Sequence, residues 1–391
     1  MGQINGQLFR MWKQAPQVLN EIGSEEVFLP YFSKKEKPIA YIGTKNEDGE
    51  TWKMYKLQDN LIQVITKFEK EATFNPKHPE EDTKIKWVKM KDGDFHTTEN
   101  EYLINAIHTF ASARIVLNMF LRALQRLTKI KKWADFKWGK STRLVIKVGE
   151  EANVKEYSHQ THTICFGKEY ERNVDIPLTP SFRYTCRSFD LLAHEIGHAV
   201  LYTLRHDIHH GALHEAFGDL TAMFALLSRM DVCEKVIVIT RGNLTAKDNF
   251  LMHFDEHYLH PQDEKPREIE TERDTTPTKQ VMRGSPSLNL YMLSAEISTA
   301  VFVCLVEAFY AHQDAEAYDP AESLFRVGRH IFDILLDAIL KSDAQNITKH
   351  NSQFEELKKQ MKESISLFFS KDSTYSAQLQ DIVTRVIAPT Q

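Results

Sequence analysis

A stretch of 32 residues, FDLLAHEIGHAVLYTLRHDIHHGALHEAFGDL, contains six of the chain's 17 histidines. Within it, His194, Glu195 and His198 form the pattern His-Glu-x-x-His. Residues four apart on a helix lie on one face, so two imidazoles at this spacing can bind one metal ion. Zinc binds imidazole nitrogen and also accepts carboxylate oxygen. The pattern therefore predicts a zinc site on a helix.

Glu195 follows the first histidine directly, so it is offset around the helix from the two imidazoles. We expect it to lie too far away to bind the metal, yet close enough to act as general base on a water molecule there. A histidine pair on a solvent-facing helix is the alternative. The apolar neighbours argue against it, because they predict a buried helix, where unpartnered polar groups are costly. These neighbours are Leu191, Leu192, Ala193, Ile196, Ala199, Val200 and Leu201.

A hydrolytic zinc site needs a third protein ligand, and the next predicted helix contains a carboxylate for this role. Glu215 lies 17 positions after His198, which leaves room for one helix to end, turn near Gly211 and return. Asp219 lies one helical turn beyond Glu215, where it can accept the second N–H of a ligand imidazole. A solvated helix face is the alternative. The apolar residues around this pair argue against it, namely Ala212, Leu213, Ala216, Phe217, Leu220 and Ala222.

The two motifs FDLLAHEIGHAV and GALHEAFGDL together resemble the thermolysin-like zinc metallopeptidases, the gluzincin type. The resemblance implies that His194, His198 and Glu215 bind Zn²⁺ and that Glu195 is the catalytic base. It also implies that Asp219 orients a ligand histidine. The implied activity is that of a metalloendopeptidase, a hydrolase of peptide bonds in a protein or peptide substrate. The implied fold is α+β, with the zinc site in the cleft between a β-rich half that carries the active-site helix and a helical C-terminal half.

The stretch YSHQTHTICFG is similar to the family's edge strand, which pairs with an extended substrate. This similarity would place Tyr157 to His159 along the substrate backbone. A long helical pattern at 99–131 fits the helix that precedes this strand in the family. The resemblance is close from about Asn153 to Leu227 and looser in the C-terminal half, and residues 1–95 match no motif of the family.

The segment between the two zinc helices departs from the family, which has a tyrosine there that helps to bind the oxyanion. His206 falls at the corresponding place, and His209 and His210 are close by in the sequence. Any of the three could donate to an oxyanion, so we assign His206 a catalytic role by position. An exposed polar turn is the alternative for each of them.

The family also has a catalytic histidine before its first C-terminal helix, whereas the comparable stretch RGSPSLNLYML has none. His253, His257 and His260 lie upstream and could substitute for it. The missing histidine motivates a second hypothesis, a catalytically impaired peptidase-fold protein that acts as a zinc-binding interaction module. The presence of Glu195 argues against this, because such a module has no need of the base. A scaffold with a fortuitous motif is a third hypothesis, and it leaves Glu215 and Asp219 unexplained.

The composition is that of a globular protein, with 42% hydrophobic and 26% charged residues in a chain of 391. The formal charge of -5 argues against a general nucleic-acid binder. The best apolar run, AVFVCLVEAF, is interrupted by Glu307 and is too short to span a bilayer. The N-terminus lacks the apolar core of a signal peptide. We expect a cytoplasmic monomer, or export by a route without a signal peptide, as for a bacterial effector.

The order of the predicted elements indicates three regions. Residues 1–95 are mixed and β-rich, with hairpin signals at Asp48-Gly49 and Asp92-Gly93. Residues 96–240 hold the long helix, the strands TRLVIKV and THTICFGK, and zinc helices at about 188–204 and 212–229. Residues 241–391 begin with a polar loop region and continue with helices. Four cysteines without a CxxC pair predict free thiols.

Overall fold

The computed structural model describes residues 6–12, 24–30, 39–47, 50–67, 101–128, 136–139, 141–150, 155–171, 181–208, 211–246, 249–254, 267–268, 286–315, 319–349 and 352–387. These residues form both strands and helices, so the predicted α+β class is confirmed. The chain divides into two compact units. The first comprises Met1–Asn118 and Ile130–Ala199, and the second comprises Met119–Lys129 and Val200–Gln391.

The strands of the first unit are β1 (Gly6–Trp12), β2 (Ser24–Pro30), β3 (Ile39–Glu47), β4 (Glu50–Gln58), β5 (Ile62–Lys67), β6 (Leu144–Glu150), β7 (Lys155–Ser158), β8 (Thr163–Glu171) and β9 (Ser181–Tyr184). Seven of them form one mixed sheet with the order β3-β4-β5-β6-β8-β7, in which β9 also pairs with β8. Strands β5, β6 and β8 run parallel to one another. Strands β1 and β2 form a separate antiparallel pair.

One of the predicted strand features is confirmed, and one is partly wrong. Strands β3 and β4 pair antiparallel, with Glu47 opposite Glu50, as the hairpin signal at Asp48-Gly49 predicts. That turn itself and the second signal at Asp92-Gly93 lie outside the described residues. Gly167 does not end β8, which continues to Glu171 because the residues after Gly167 pair with β9. This pairing is not local, so the glycine alone gave the wrong boundary.

Helix α1 (Glu101–Leu127) confirms the long helix predicted at 99–131. In the first unit its buried face carries Phe110, whose ring stacks on Phe9 with centroids 5.5 Å apart. A buried ion pair joins Arg114 to Asp59, 3.1 Å apart. The other oxygen of Asp59 accepts the backbone N–H of Leu61 at 2.7 Å. This carboxylate therefore holds the turn before β5 against the helix.

The remaining helices are α2 (Phe189–Leu204), α3 (Ala212–Leu227), α4 (Met230–Thr240), α5 (Pro286–Ala315), α6 (Pro320–Lys341), α7 (Ala344–Ile347), α8 (Gln353–Phe368) and α9 (Ser373–Val386). The predicted helical C-terminal region is thus confirmed. In the second unit, Phe332 of α6 packs on Phe120 and Phe224, with ring centroids 5.3 and 5.4 Å apart. All four cysteines are free, as predicted.

Two helices are long and apolar enough to cross a membrane, over Ile104–Leu127 of α1 and Leu293–Gln313 of α5. Their most apolar windows are 89% and 61% buried within the folded chain. Core helices of a globular protein have the same length and composition, so these two helices are weak evidence for a membrane span.

Candidate metal centre

Helix α2 positions the three residues of the His-Glu-x-x-His motif. Its first turn is capped by Ser188, whose hydroxyl oxygen accepts the backbone N–H of Leu191 at 3.2 Å. All residues from Leu191 to Val200 are buried, and the exposed fractions of His194, Glu195 and His198 are 8%, 5% and 6%. The buried helix predicted from the apolar neighbours is therefore confirmed.

The two histidines of α2 lie side by side, as their spacing predicts. The ring centroids of His194 and His198 are 4.4 Å apart, and the ring planes are nearly perpendicular at 84°. One ligand atom from each of His194, Glu195 and His198 lies within 4.8 Å of the others, close enough to surround one metal ion. The assignment of Glu195 as general base rather than ligand remains a prediction.

Glu195 is held in place by the backbone of β7. The N–H of Tyr157 donates to the Oε2 atom of Glu195 at 2.7 Å. The hydroxyl of Tyr157 in turn contacts the Nδ1 atom of His162 at 2.7 Å. Burial lowers the pKa of His162, which favours the neutral imidazole and leaves Nδ1 able to accept this hydrogen bond. Tyr157 is thus fixed at its backbone and at its side chain.

The strand that carries Tyr157 lies at one end of the sheet order, next to β8. The predicted strand position of Tyr157 is confirmed, but that of His159 is wrong. β7 ends at Ser158, and an exposed turn that contains His159 leads into β8. The turn is required because β7 and β8 pair antiparallel, with Ser158 opposite Thr163. Its last residue, His162, has a φ of 55°, which is uncommon outside glycine.

Helix α3 positions the second predicted group of residues. Gly211 precedes it with a φ of 103°, a backbone conformation that favours glycine. Glu215 lies in the first turn, where the helix dipole favours a carboxylate, and its Oε1 atom is 3.7 Å from the Nδ1 atom of His214. Asp219, one turn further along α3, is 5% exposed.

Sequence reasoning missed one residue of this region, His214, and one contact, the hydrogen bond between Tyr157 and Glu195. His214 directly precedes Glu215, and its position in the histidine-rich stretch was a signal that it could serve as a ligand. Tyr157 was predicted at the edge strand, but its hydrogen bond to Glu195 joins residues 38 positions apart. No local pattern predicts a contact of this kind.

His206 lies in the exposed turn that follows α2. The residues on either side of it are paired with each other, because the Arg205 guanidinium donates twice to the Asp207 carboxylate at 2.9 Å. This hydrogen bond is the main reason that the pKa of Asp207 is lowered. Arg205 also donates to the carbonyl of Leu340 at 3.2 Å, which attaches the turn to α6. The oxyanion role of His206 remains a prediction.

Of the other histidines considered for catalysis, His253 is among the described residues. His253 belongs to the short strand β10 (His253–Phe254), which pairs with β11 (Arg267–Glu268). Four further predicted residues lie outside the described residues, namely His209, His210, His257 and His260.

Comparisons with models of protein families, with curated proteins and with solved structures find no match to this chain. The function proposed below therefore rests on the residues of the metal centre and on their geometry.

Proposed function

We propose that the protein is a zinc-dependent metalloendopeptidase in which His194, His198 and Glu215 bind the metal ion. The observation that carries the proposal is the arrangement on α2, where two imidazoles lie 4.4 Å apart beside a carboxylate that a backbone N–H holds in place. A surface histidine pair would have no need of such an arrangement. The resemblance of the two helical motifs to thermolysin-like peptidases supports the same conclusion.

The donor set fits zinc. Two imidazoles and one carboxylate are a ligand set of catalytic zinc sites, which leave a fourth position open. The ligand atoms of His194 and His198 lie within 4.8 Å of each other, so the two imidazoles are close enough to share one ion. A zinc ion bound here would act as a Lewis acid towards the scissile carbonyl and the attacking water. Asp219 would orient a ligand imidazole by accepting its second N–H.

Glu195 would act as the base for the attacking water and would then deliver the proton to the leaving amine. The hydrogen bond from Tyr157 supports this role in two ways. It favours the ionised carboxylate, because it donates to a charged oxygen, and it limits the orientations that the side chain can adopt. An extended peptide would pair with β7 by strand addition, using backbone groups other than the N–H of Tyr157. His206 would donate to the oxyanion.

The experiment that tests the proposal compares zinc content and peptide cleavage in four proteins. Elemental mass analysis of the wild type should find one zinc per chain, and Glu215→Ala should reduce it because a ligand is lost. Glu195→Gln should retain zinc and lose cleavage of unfolded protein and peptide substrates, since the amide cannot accept the proton. Glu363→Gln is the matched control at an exposed position and should behave as the wild type.

The outcomes separate the hypotheses. A wild type that takes up no zinc from buffered zinc solutions would contradict the metal centre itself. One zinc per chain without cleavage would instead favour the impaired, zinc-binding interaction module. Equal cleavage by the wild type and Glu195→Gln would contradict the assignment of the base while leaving the metal ligands in place.

A further inference from the structure

Three arginines surround a small pocket in the second unit. Arg122 and Arg126 come from the C-terminal part of α1, and Arg329 comes from α6. The apolar wall of the pocket includes Phe224, Leu227 and Phe332, each at most 2% exposed. The cavity has a volume of about 50 Å³, which accommodates only a few non-hydrogen atoms. The pocket therefore combines cationic groups with a small, rigid apolar recess.

Arg126 is held in a fixed orientation by Asp333 of α6. Its Nε and Nη2 atoms each donate to a different oxygen of the carboxylate at 2.6 Å, which is the bidentate geometry of a strong ion pair. These two bonds use two of the five N–H groups of the guanidinium and leave three for other acceptors. Arg126 remains 39% exposed, so those groups can be reached from solvent.

The other two arginines add positive charge that Asp333 does not balance. Arg122 and Arg126 are four residues apart on one helix, where like charges destabilise the fold. Among the described residues, no carboxylate forms an ion pair with Arg122 or Arg329. Three guanidinium groups and one carboxylate leave the pocket with a charge of about +2.

A purely structural explanation is that the arginines stabilise the end of α3. Ser228 lines the pocket and caps this end, since its backbone N–H donates to the carbonyl of Phe224 at 2.9 Å. The C-terminus of a helix favours cations, but its dipole is equivalent to only about half a negative charge. It therefore does not account for three guanidinium groups around an apolar recess.

We propose that this pocket binds a small phosphate monoester whose ester group is short and apolar. A phosphate monoester carries a charge between about -1.5 and -2 at neutral pH and offers three acceptor oxygens, which complements the pocket. Its ester group would fill the recess formed by the phenylalanine and leucine side chains. Ser228, which follows the last residue of α3, lies 13 residues after Glu215, about 20 Å along the helix axis. The pocket is therefore distinct from the start of α3, which carries Glu215. The proposal is independent of the proposed peptidase activity.

Isothermal titration of the full-length protein with ethyl phosphate at low ionic strength tests the proposal. We expect saturable binding with one site per chain. Inorganic phosphate should bind about tenfold more weakly, because two buried carbons contribute to the affinity. Propionate should also bind at least about tenfold more weakly, because it carries a single charge and fewer acceptor oxygens.

Three variants define the contribution of the arginines. Arg122→Gln and Arg329→Gln should each weaken ethyl phosphate binding about tenfold, because each removes a charged donor. Arg326→Gln is the matched control on the same helix; Arg326 does not line the pocket and pairs with Glu322 at 2.7 Å. It should bind ethyl phosphate like the wild type. Thermal unfolding of each variant shows whether the variant protein is folded. Arg126 is not substituted, because its guanidinium is bonded to Asp333 and its loss would also remove that ion pair.

Three results would overturn the proposal. One is the absence of saturable ethyl phosphate binding in the millimolar range by a folded wild type. Another is equal binding by the wild type and by Arg122→Gln and Arg329→Gln. The third is equal affinity for ethyl phosphate, inorganic phosphate and propionate, which would indicate a non-specific cationic surface.

Discussion

The contact between Tyr157 and Glu195 joins the proposed base to the strand that would hold the substrate. The side chain of Tyr157 contacts His162, which lies at the end of the turn before β8 with a φ of 55°. A left-handed conformation at a non-glycine residue costs about 1–2 kcal/mol, and the surrounding contacts must offset it. Two such contacts are known. The Tyr157 hydroxyl lies 2.7 Å from the Nδ1 atom of His162, and the ring centroids of Trp138 and His162 are 5.3 Å apart.

Tyr157→Phe tests this coupling without changing the backbone N–H that bonds Glu195. We expect the free energy of unfolding to fall by about 1–2 kcal/mol, because the Nδ1 atom of the buried His162 loses its hydrogen-bond partner. Urea unfolding followed by circular dichroism measures the change. Tyr310→Phe on α5 is the comparison, because its hydroxyl belongs to a 40% exposed side chain and makes longer hydrogen bonds, accepting from Leu244 N–H at 3.2 Å and donating to the Gly242 carbonyl at 3.4 Å.

A result that contradicts this prediction is an equal loss of stability in Tyr157→Phe and Tyr310→Phe. The hydroxyl of Tyr157 would then contribute no more than an exposed one. The coupling has a second consequence under the proposed function. Tyr157→Phe should lower kcat and leave KM nearly unchanged, because the change disturbs the orientation of the base rather than the binding of the peptide.

At the scale of elements, α3 and α6 approach closely because α6 has a glycine at the contact. A Cβ atom added at Gly328 would lie 3.2 Å from the Cβ atom of Leu227. Leu227 is 1% exposed and has little room to move. The same two residues line the pocket that Arg122, Arg126 and Arg329 surround, the arginine pocket. The spacing of these helices therefore also sets the size of the pocket.

Gly328→Ala should therefore destabilise the protein. Alanine favours a helix interior by about 1 kcal/mol over glycine, but overpacking a buried contact costs about 1–3 kcal/mol. We expect a net loss of about 1 kcal/mol in the free energy of unfolding, measured by urea unfolding. In the Leu227→Ala background the same change should stabilise the protein, because the clash has been removed. Stabilisation by Gly328→Ala in the wild-type background would show that the helices separate at little cost.

The sequence predicts those elements whose pattern is local. The hairpin of β3 and β4, the long helix α1 and the helices α2 and α3 each have a periodicity that can be read within one segment. The predicted helix at 212–229 corresponds to α3, and α4, which only Ser228 and Arg229 separate from it, was not predicted. The extension of β8 beyond Gly167 was missed because it requires the distant strand β9.

The same distinction applies to the sites. His194, Glu195 and His198 lie within five consecutive residues, so their spacing on one helix was sufficient to bring them together. The pair of Arg126 and Asp333 joins residues 207 positions apart, and neither helix carries a pattern that indicates the other. The arginine pocket could therefore be found only from the structure.

At the scale of the whole molecule, each of the two units contains a histidine whose pKa is lowered, the fully buried His108 in the first and the half-buried His330 in the second. Burial lowers the pKa of His108 in the first unit to about 3, and the charge of Arg187 adds to this effect. Burial likewise lowers the pKa of His330 in the second unit to about 3, with Arg329 as the next cause. His330 also contacts the hydroxyl of Tyr375 at 3.3 Å through its Nδ1 atom. Both side chains are therefore neutral in the folded protein at neutral pH.

These two histidines make the stability depend on pH in a defined direction. In the unfolded chain a histidine is protonated below about pH 6.5, whereas His108 and His330 take up a proton only near pH 3 when folded. The unfolded state therefore binds more protons between these values, and stability falls as the pH is lowered from about 6.5 towards 3. Each histidine should contribute a slope of about 1.4 kcal/mol per pH unit in this window.

Urea unfolding at several pH values between about 7 and 4 tests this prediction, with His330→Gln as the informative variant. We expect this variant to be less stable than the wild type at neutral pH, because it loses packing, but to show a slope smaller by about 1.4 kcal/mol per pH unit. An unchanged slope in His330→Gln would show that this histidine is protonated without unfolding.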